Sequence, residues 1–169
     1  MKAFFIALIF LFLQGCETLN IREQSIASGA IPESWSAKGR VGVSVDDSYQ
    51  SVGFDIEFTA QEFELVLVGT LGLGEVNIRS TAQGLWINHQ RTSLSLQQWM
   101  EQELGWHLPL NILANIIFEH QLNASHEWQV KIDKFMSYQE VSVTKLVKLQ
   151  HQYKPIKIKL LFQEVNQLK

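Results

Sequence analysis

The sequence predicts an α+β fold: a curved antiparallel sheet with two short helices laid across its open side. Three observations lead there. Apolar residues alternate with polar ones at period two from Trp35 onward. That pattern gives way in mid-chain to apolar residues three and four apart, and it then returns and persists to the last strand. The single cysteine, Cys16, leaves no intramolecular disulfide to staple the domain, so a hydrophobic core must hold it.

The first residues are set apart from this domain. Lys2 precedes an unbroken apolar run over residues 3–13 and then the sequence Leu13-Gln14-Gly15-Cys16. A helix needs roughly 20 apolar residues to cross a bilayer, so this run reads as a cleaved export signal over residues 1–15. Leu13 three positions before the cysteine and Gly15 directly before it are what lipoprotein processing reads. Cys16 is therefore expected to become the mature N-terminus, acylated on sulfur and nitrogen. A secreted protein with one stray thiol is the alternative, and it would leave a free cysteine in an oxidising compartment. Each buried methylene contributes about 0.8 kcal/mol, so two or three acyl chains, palmitate among them, make attachment effectively permanent. Bacterial lipoproteins retained in the inner membrane typically carry aspartate after the cysteine. Glu17 stands there instead and points to the outer membrane, with the domain facing the periplasm. Residues 16–34 mix Ser, Gly, Ala, Pro and charges without periodicity and read as lipidated terminus and tether, leaving residues 35–169 as the domain.

The strands follow in order. Val41, Val43 and Val45 alternate with Gly42 and Ser44; Val52, Phe54, Ile56 and Phe58 alternate with Gly53, Asp55 and Glu57. Asp46-Asp47-Ser48 supplies the turn between them. Residues 63–68 form a further strand. Val76 and Ile78 continue the pattern beyond a bend punctuated by Gly69, Gly72 and Gly74, and residues 85–88 add a short strand. Ser95 can then cap a helix in which Leu96, Trp99, Met100 and Leu104 share a face, ending near Gly105. Pro109 can open a second, with Leu110, Leu113, Ile116 and Ile117 on its apolar stripe. Strands resume with Trp128, Val130 and Ile132, then Val141 and Val143. They end with Ile156, Ile158, Leu160 and Phe162 alternating against Lys157 and Lys159.

Composition and motifs argue against several function classes. A formal net charge of −3 with no dense Lys/Arg run does not suggest nucleic-acid binding. His89, His107, His120, His126 and His151 are scattered without HExxH spacing, so no metal or other cofactor is expected. Gly69-Thr70-Leu71-Gly72-Leu73-Gly74 lacks the Gly-Lys-Ser/Thr ending of a phosphate loop and leads into a strand, not a helix. No G-x-S-x-G elbow occurs, and no enzymatic activity is expected.

Several features together resemble the outer-membrane lipoprotein receptor family LolB. They are the Cys16 motif, Trp35 with Gly39-Arg40-Val41, the bend at Leu71-Gly72, Gly105-Trp106-His107-Leu108-Pro109-Leu110 between the helices, and Trp128-Gln129-Val130. Two departures stand out: Thr70 occupies a position where members often carry Pro, and residues 118–126 are too few for a strand seen elsewhere in the family.

The resemblance implies an incomplete, half-open antiparallel barrel covered by two or three short helices, with an apolar cavity between sheet and helices. It also implies a function: accepting acylated lipoproteins from a periplasmic carrier like LolA and inserting them into outer-membrane lipid, as a monomer. Leu71, at the apex of the glycine bend, matches a leucine that protrudes and aids insertion; tucking beneath the loop is its bland alternative. Phe54, Ile56, Phe58, Leu65 and Leu67 from the sheet, with Trp99, Met100, Leu113 and Ile117 from the helices, are candidates to face the acyl chains. Ordinary core packing is the alternative for each. Asp46, Asp47, Glu62 and Glu75 could meet a basic carrier rim or form a solvated face. The rival for the whole domain is a lipid-anchored envelope scaffold, or a small apolar-ligand module without transfer activity.

Overall fold

The computed structural model describes residues 29–69, 74–122, 126–138 and 141–168. The expected signal over residues 1–15, Cys16 and Leu71 lie outside them. Two-residue turns and short bends link a first meander of strands: β1 (Ser34–Val45), β2 (Ser48–Thr59), β3 (Glu62–Gly69), β4 (Glu75–Thr81), β5 (Gly84–Ile87) and β6 (Gln90–Thr92). A helical segment follows, then a second meander of β7 (Trp128–Tyr138), β8 (Val141–His151) and β9 (Ile156–Gln167). Every pairing is antiparallel, and the order across the sheet is β6-β5-β4-β3-β2-β1-β9-β8-β7. The sheet is not closed: β6 and β7 are its two edges.

The two meanders join where β1 pairs with β9. Gly39 makes that junction possible. A Cβ at residue 39 would lie 2.1 Å from the Leu161 carbonyl oxygen and 3.1 Å from the Phe162 Cα, so only glycine admits the neighbouring strand. The register shifts beside it, between Lys38 and Gly39, with Gly39 opposite Phe162 and Lys38 opposite Glu164. That bulge bends the sheet where it must curl.

Alternation sends one side of each strand inward. Trp35, Ala37, Val41 and Val43 of β1 join Ile56, Leu65, Ile78, Val147, Leu160 and Phe162 in a single core cluster. The helical segment caps it. Helix α1 (Leu96–Leu104) starts at a capping box in which Ser95 Oγ accepts from the Gln98 amide while the Gln98 side chain accepts from the Ser95 amide. It ends at Gly105 in the left-handed conformation, φ 76°.

The second expected helix is not a regular one. Leu110–Ile112 is a 3₁₀ turn and Asn115–Glu119 a π turn. A regular helix would turn one stripe inward, but here Leu110, Ile112, Leu113, Ile116, Ile117 and Phe118 are all buried, and the altered winding brings more of them to the core. Thr144 of β8 fastens this segment by donating to the Ile116 carbonyl at 2.6 Å. Strand β6 was not expected. It returns through Asn88 and His89, both at positive φ (47° and 67°), with the Asn88 side chain accepting from the Asn77 amide.

Candidate functional site

The inner face of the sheet and the helical segment enclose the apolar side chains that the sequence nominates. Phe54, Ile56, Leu65 and Leu67 from the sheet are buried in the core, and so are Met100, Leu113 and Ile117 from the cover. Phe58 and Trp99 are half-buried and pack against that core. The fold thus gathers all nine between sheet and cover, seven of them fully packed.

Phe58 leads to open space. Its ring stacks on Trp35 with centroids 4.7 Å apart and meets Phe63 at 5.4 Å. Phe58 and Phe63 form one wall of a cleft of about 490 Å³, with Leu96, Leu108, Leu110 and Trp128 among its other apolar walls. Its volume falls in the range of roughly 300–1,000 Å³ usual for small-ligand sites. The cleft runs along the loop between α1 and the 3₁₀ turn, where His107, Leu108, Pro109 and Leu110 line it.

The far wall is aromatic and polar together. Trp128, 2 % exposed, is met edge-on by His107 at 5.5 Å and His151 at 4.9 Å. Its indole N–H is buried without an acceptor. Glu101 of α1 takes contacts from His107 Nδ1 and Lys154 Nζ, each at 3.0 Å, and the Lys154 hydrogen bond leads in holding its carboxyl below the usual range. Glu101 thereby ties the helix to the β8–β9 turn at the cleft's rim. His151 Nδ1 accepts from the Tyr153 and Lys154 amides, and burial, then the Lys154 charge, lowers its pKa. His120 is lowered by burial as well, and it contacts the Ser142 carbonyl. Among the described residues no group of three or more His, Cys, Asp or Glu gathers that could hold a metal.

The sequence reading did not nominate Trp35, Trp106, Trp128 or Phe118 for this region. Trp106 and Phe118 sit in irregular backbone and have no periodic partners to betray their burial. Trp106 is fully buried, with its indole N–H reaching Gln50 Oε1 at 3.4 Å. Its place in Gly105-Trp106-His107-Leu108-Pro109-Leu110 was the available signal.

The family model for the outer membrane lipoprotein LolB matches residues 33–121, more than half of the chain. That stretch runs from the threshold of β1 through the helical cover. The chain belongs to the LolB family. Among LolB relatives, the outer-membrane lipoproteins LolB of Francisella tularensis subsp. tularensis (strain SCHU S4 / Schu 4) and subsp. novicida (strain U112) are each 23% identical to it over 82 residues. These matches cover 46% of the chain and 40% and 39% of the two relatives, so they span about two fifths of the relatives' length. The crystal structure of a DUF1329 family protein from Desulfovibrio piger is similar in fold, with a TM-score of 0.50 at 7% identity over 80% of this chain and 86% of that one. Membership of LolB accords with an outer-membrane lipoprotein. Among the described residues, no helix of this LolB-family domain is long and apolar enough to cross a membrane.

Proposed function

We propose that this LolB-family domain accepts acylated lipoproteins from a soluble periplasmic carrier like LolA and delivers them into the outer membrane. The family match over residues 33–121, which takes in β1 to β6 and the helical cover, carries this reading. The geometry supports it. An open sheet can part from a cover tied down at few polar points without breaking a continuous hydrogen-bonded cylinder. Those points include Thr144 with Ile116 and Glu101 with Lys154. The apolar walls thus exposed would receive the chains, starting at the Phe58 cleft and reaching toward Ile56, Leu65, Met100 and Ile117. Shielding matters because a dozen methylenes left in water cost on the order of 10 kcal/mol at about 0.8 kcal/mol each. No nucleotide need be spent if the carrier holds the chains less favourably.

In the same reading, residues 1–15 are removed, Cys16 carries the lipid, and the tether ends where the chain first touches the domain. Gly29 donates to the Phe118 carbonyl and the Glu33 carbonyl accepts from the Ala60 amide, so contacts with the domain already involve residues before the expected boundary at residue 35. Leu71 serves insertion from the bend between β3 and β4.

The packed state of seven of the nine nominated side chains favours a second reading, a lipid-anchored scaffold with a filled core. One experiment separates them. An acylated lipoprotein is offered on purified carrier to the chain from residue 16 onward with Cys16→Ala, and then to liposomes. Stoichiometric transfer without nucleotide is expected. A folded domain that takes nothing from a competent carrier would establish the scaffold instead.

A further inference from the structure

On the opposite side of the sheet from the core, four lysines gather. Lys148 faces Lys131 on one side and Lys159 on the other in the antiparallel register, and Lys157 follows two residues before Lys159 on the same side of β9. All four side chains are exposed. Asp133 contacts both Lys131 and Lys148, and the Lys148 hydrogen bond leads in holding its carboxyl below the usual range. Asp133 thus meets two of the four ammonium groups, Lys131 and Lys148, in a chain whose formal net charge is −3. Arg40, opposite Leu161, extends the positive face by one row.

The surface between these cations is not flat. Lys131, Lys148, Lys157 and Lys159 border a groove of about 420 Å³, which Tyr49 and Gly42 border as well. Tyr49 lies over Gly42, where a Cβ would come within 2.6 Å of its hydroxyl, yet the residue remains 72% exposed. An exposed tyrosine beside a lysine face combines an amphipathic ring of the kind that settles at headgroup depth with the charge that draws anionic lipid. The same end of the sheet carries the bend closed by the Gly69 amide on the Gly74 carbonyl, since Gly69 pairs with Val52 and Val52 with Val41, opposite Leu160. Asp46 and Asp47 occupy the tip of the β1–β2 turn, so the contact is made by the flank of the sheet and not by its tip.

We propose that the outer face built by Lys131, Lys148, Lys157 and Lys159 with Tyr49 docks the domain on anionic phospholipid, recognising headgroup phosphates. The inference deepens the delivery reading above by assigning the surface that orients the domain on its target bilayer.

The test is sedimentation of the chain from residue 16 onward, Cys16→Ala, with vesicles of phosphatidylethanolamine and phosphatidylglycerol or of phosphatidylcholine alone. Binding is expected to the anionic vesicles only and to fade as salt rises. A basic residue at an anionic surface strengthens binding about fivefold, so Lys157→Gln with Lys159→Gln should weaken it about 25-fold. Both lysines are exposed, so an unchanged circular dichroism spectrum checks the fold. Equal binding to both vesicle types, or anionic binding indifferent to the double substitution, overturns the proposal. Lysine-dependent binding to polyglutamate without vesicle binding overturns it in favour of an acidic protein partner. Carrier-to-domain transfer in solution is measured in parallel. If transfer fails while anionic vesicles still bind, the receptor reading falls and this surface stands; the reverse pattern removes this surface alone.

Discussion

Replacing Gly39 by alanine should be among the most damaging single-methyl additions in this domain. The new Cβ would sit 2.1 Å from the Leu161 carbonyl oxygen, more than an ångström short of the 3.4 Å at which ordinary contact begins, and the obstacle is backbone that cannot swing aside. Strands β1 and β9 would have to separate locally. Overpacking of this kind costs about 1–3 kcal/mol, and two weakened ladder hydrogen bonds add about 1 kcal/mol each, giving about 3–5 kcal/mol. With a urea slope of about 2 kcal/mol per molar, the unfolding midpoint should fall by about 1.5–2.5 M. Gly53→Ala is the internal control, because its Cβ would find the Val68 carbonyl at 3.6 Å, an ordinary contact. That variant should match the parent or gain up to about 0.5–1 kcal/mol by stiffening the unfolded chain. Urea titrations followed by tryptophan fluorescence measure both. Equal midpoints for the two variants would refute the close-approach argument.

Other outcomes follow from the same structure. Thr144→Val removes the donor to the buried Ile116 carbonyl and should cost about 1–3 kcal/mol in urea titration, with Thr144→Ser restoring most of it. His120 and His151 both have folded-state pKa values below the usual ~6.5, so the unfolded chain binds protons first as pH drops. Their contribution is complete above that value and is lost as pH falls beneath it. The urea midpoint should therefore be higher at pH 7.5 than at pH 5.5. His151→Asn, whose side-chain oxygen can still accept from the Tyr153 and Lys154 amides, should shrink the difference. Leu71→Glu should leave folding and uptake from the carrier intact while lipoprotein incorporation into liposomes falls; unchanged incorporation would remove Leu71 from that role.

Legibility in the sequence tracked regularity of the backbone. The strands around Val41, Phe54 and Ile158 announced themselves because one face is buried and the other wet, so a period of two is written directly into residue type, whereas residues 63–68 around Leu65 stood out as an apolar-rich run. Ser95 and Gly105 bracketed α1 because each answers a specific need of a helix end. What escaped lies where the chain leaves those periods. The turn at Asn88-His89 uses positive φ without a glycine, and β6 was hidden behind it. Residues 109–119 bury side chains on too many sides for a helical stripe, so a regular helix was expected where 3₁₀ and π turns occur. Phe58 was nominated with Phe54 and Ile56 by one alternating pattern, yet packing leaves it half-buried at a cleft while Ile56, two residues earlier, is sealed. Alternation gives the facing of a side chain but not the depth of its neighbours. The lysine face was visible as single letters in three strands, and only the register of β7, β8 and β9 brought them side by side.

The placement of β9 has a bearing on how the domain comes into being. A strand spanning residues 156–167 lies in the interior of the sheet, between the first strand of the chain and one that immediately precedes it. A polypeptide emerging from its N-terminus can zip the first meander early, but one flank of β1 stays bare until that late strand arrives. Closing such a distant pairing is slow, because most of the chain must be ordered before the contact repays it. The two halves are therefore expected to wait for each other, and a chain translocated in extended form would reach the far side of a membrane before it could lock into shape.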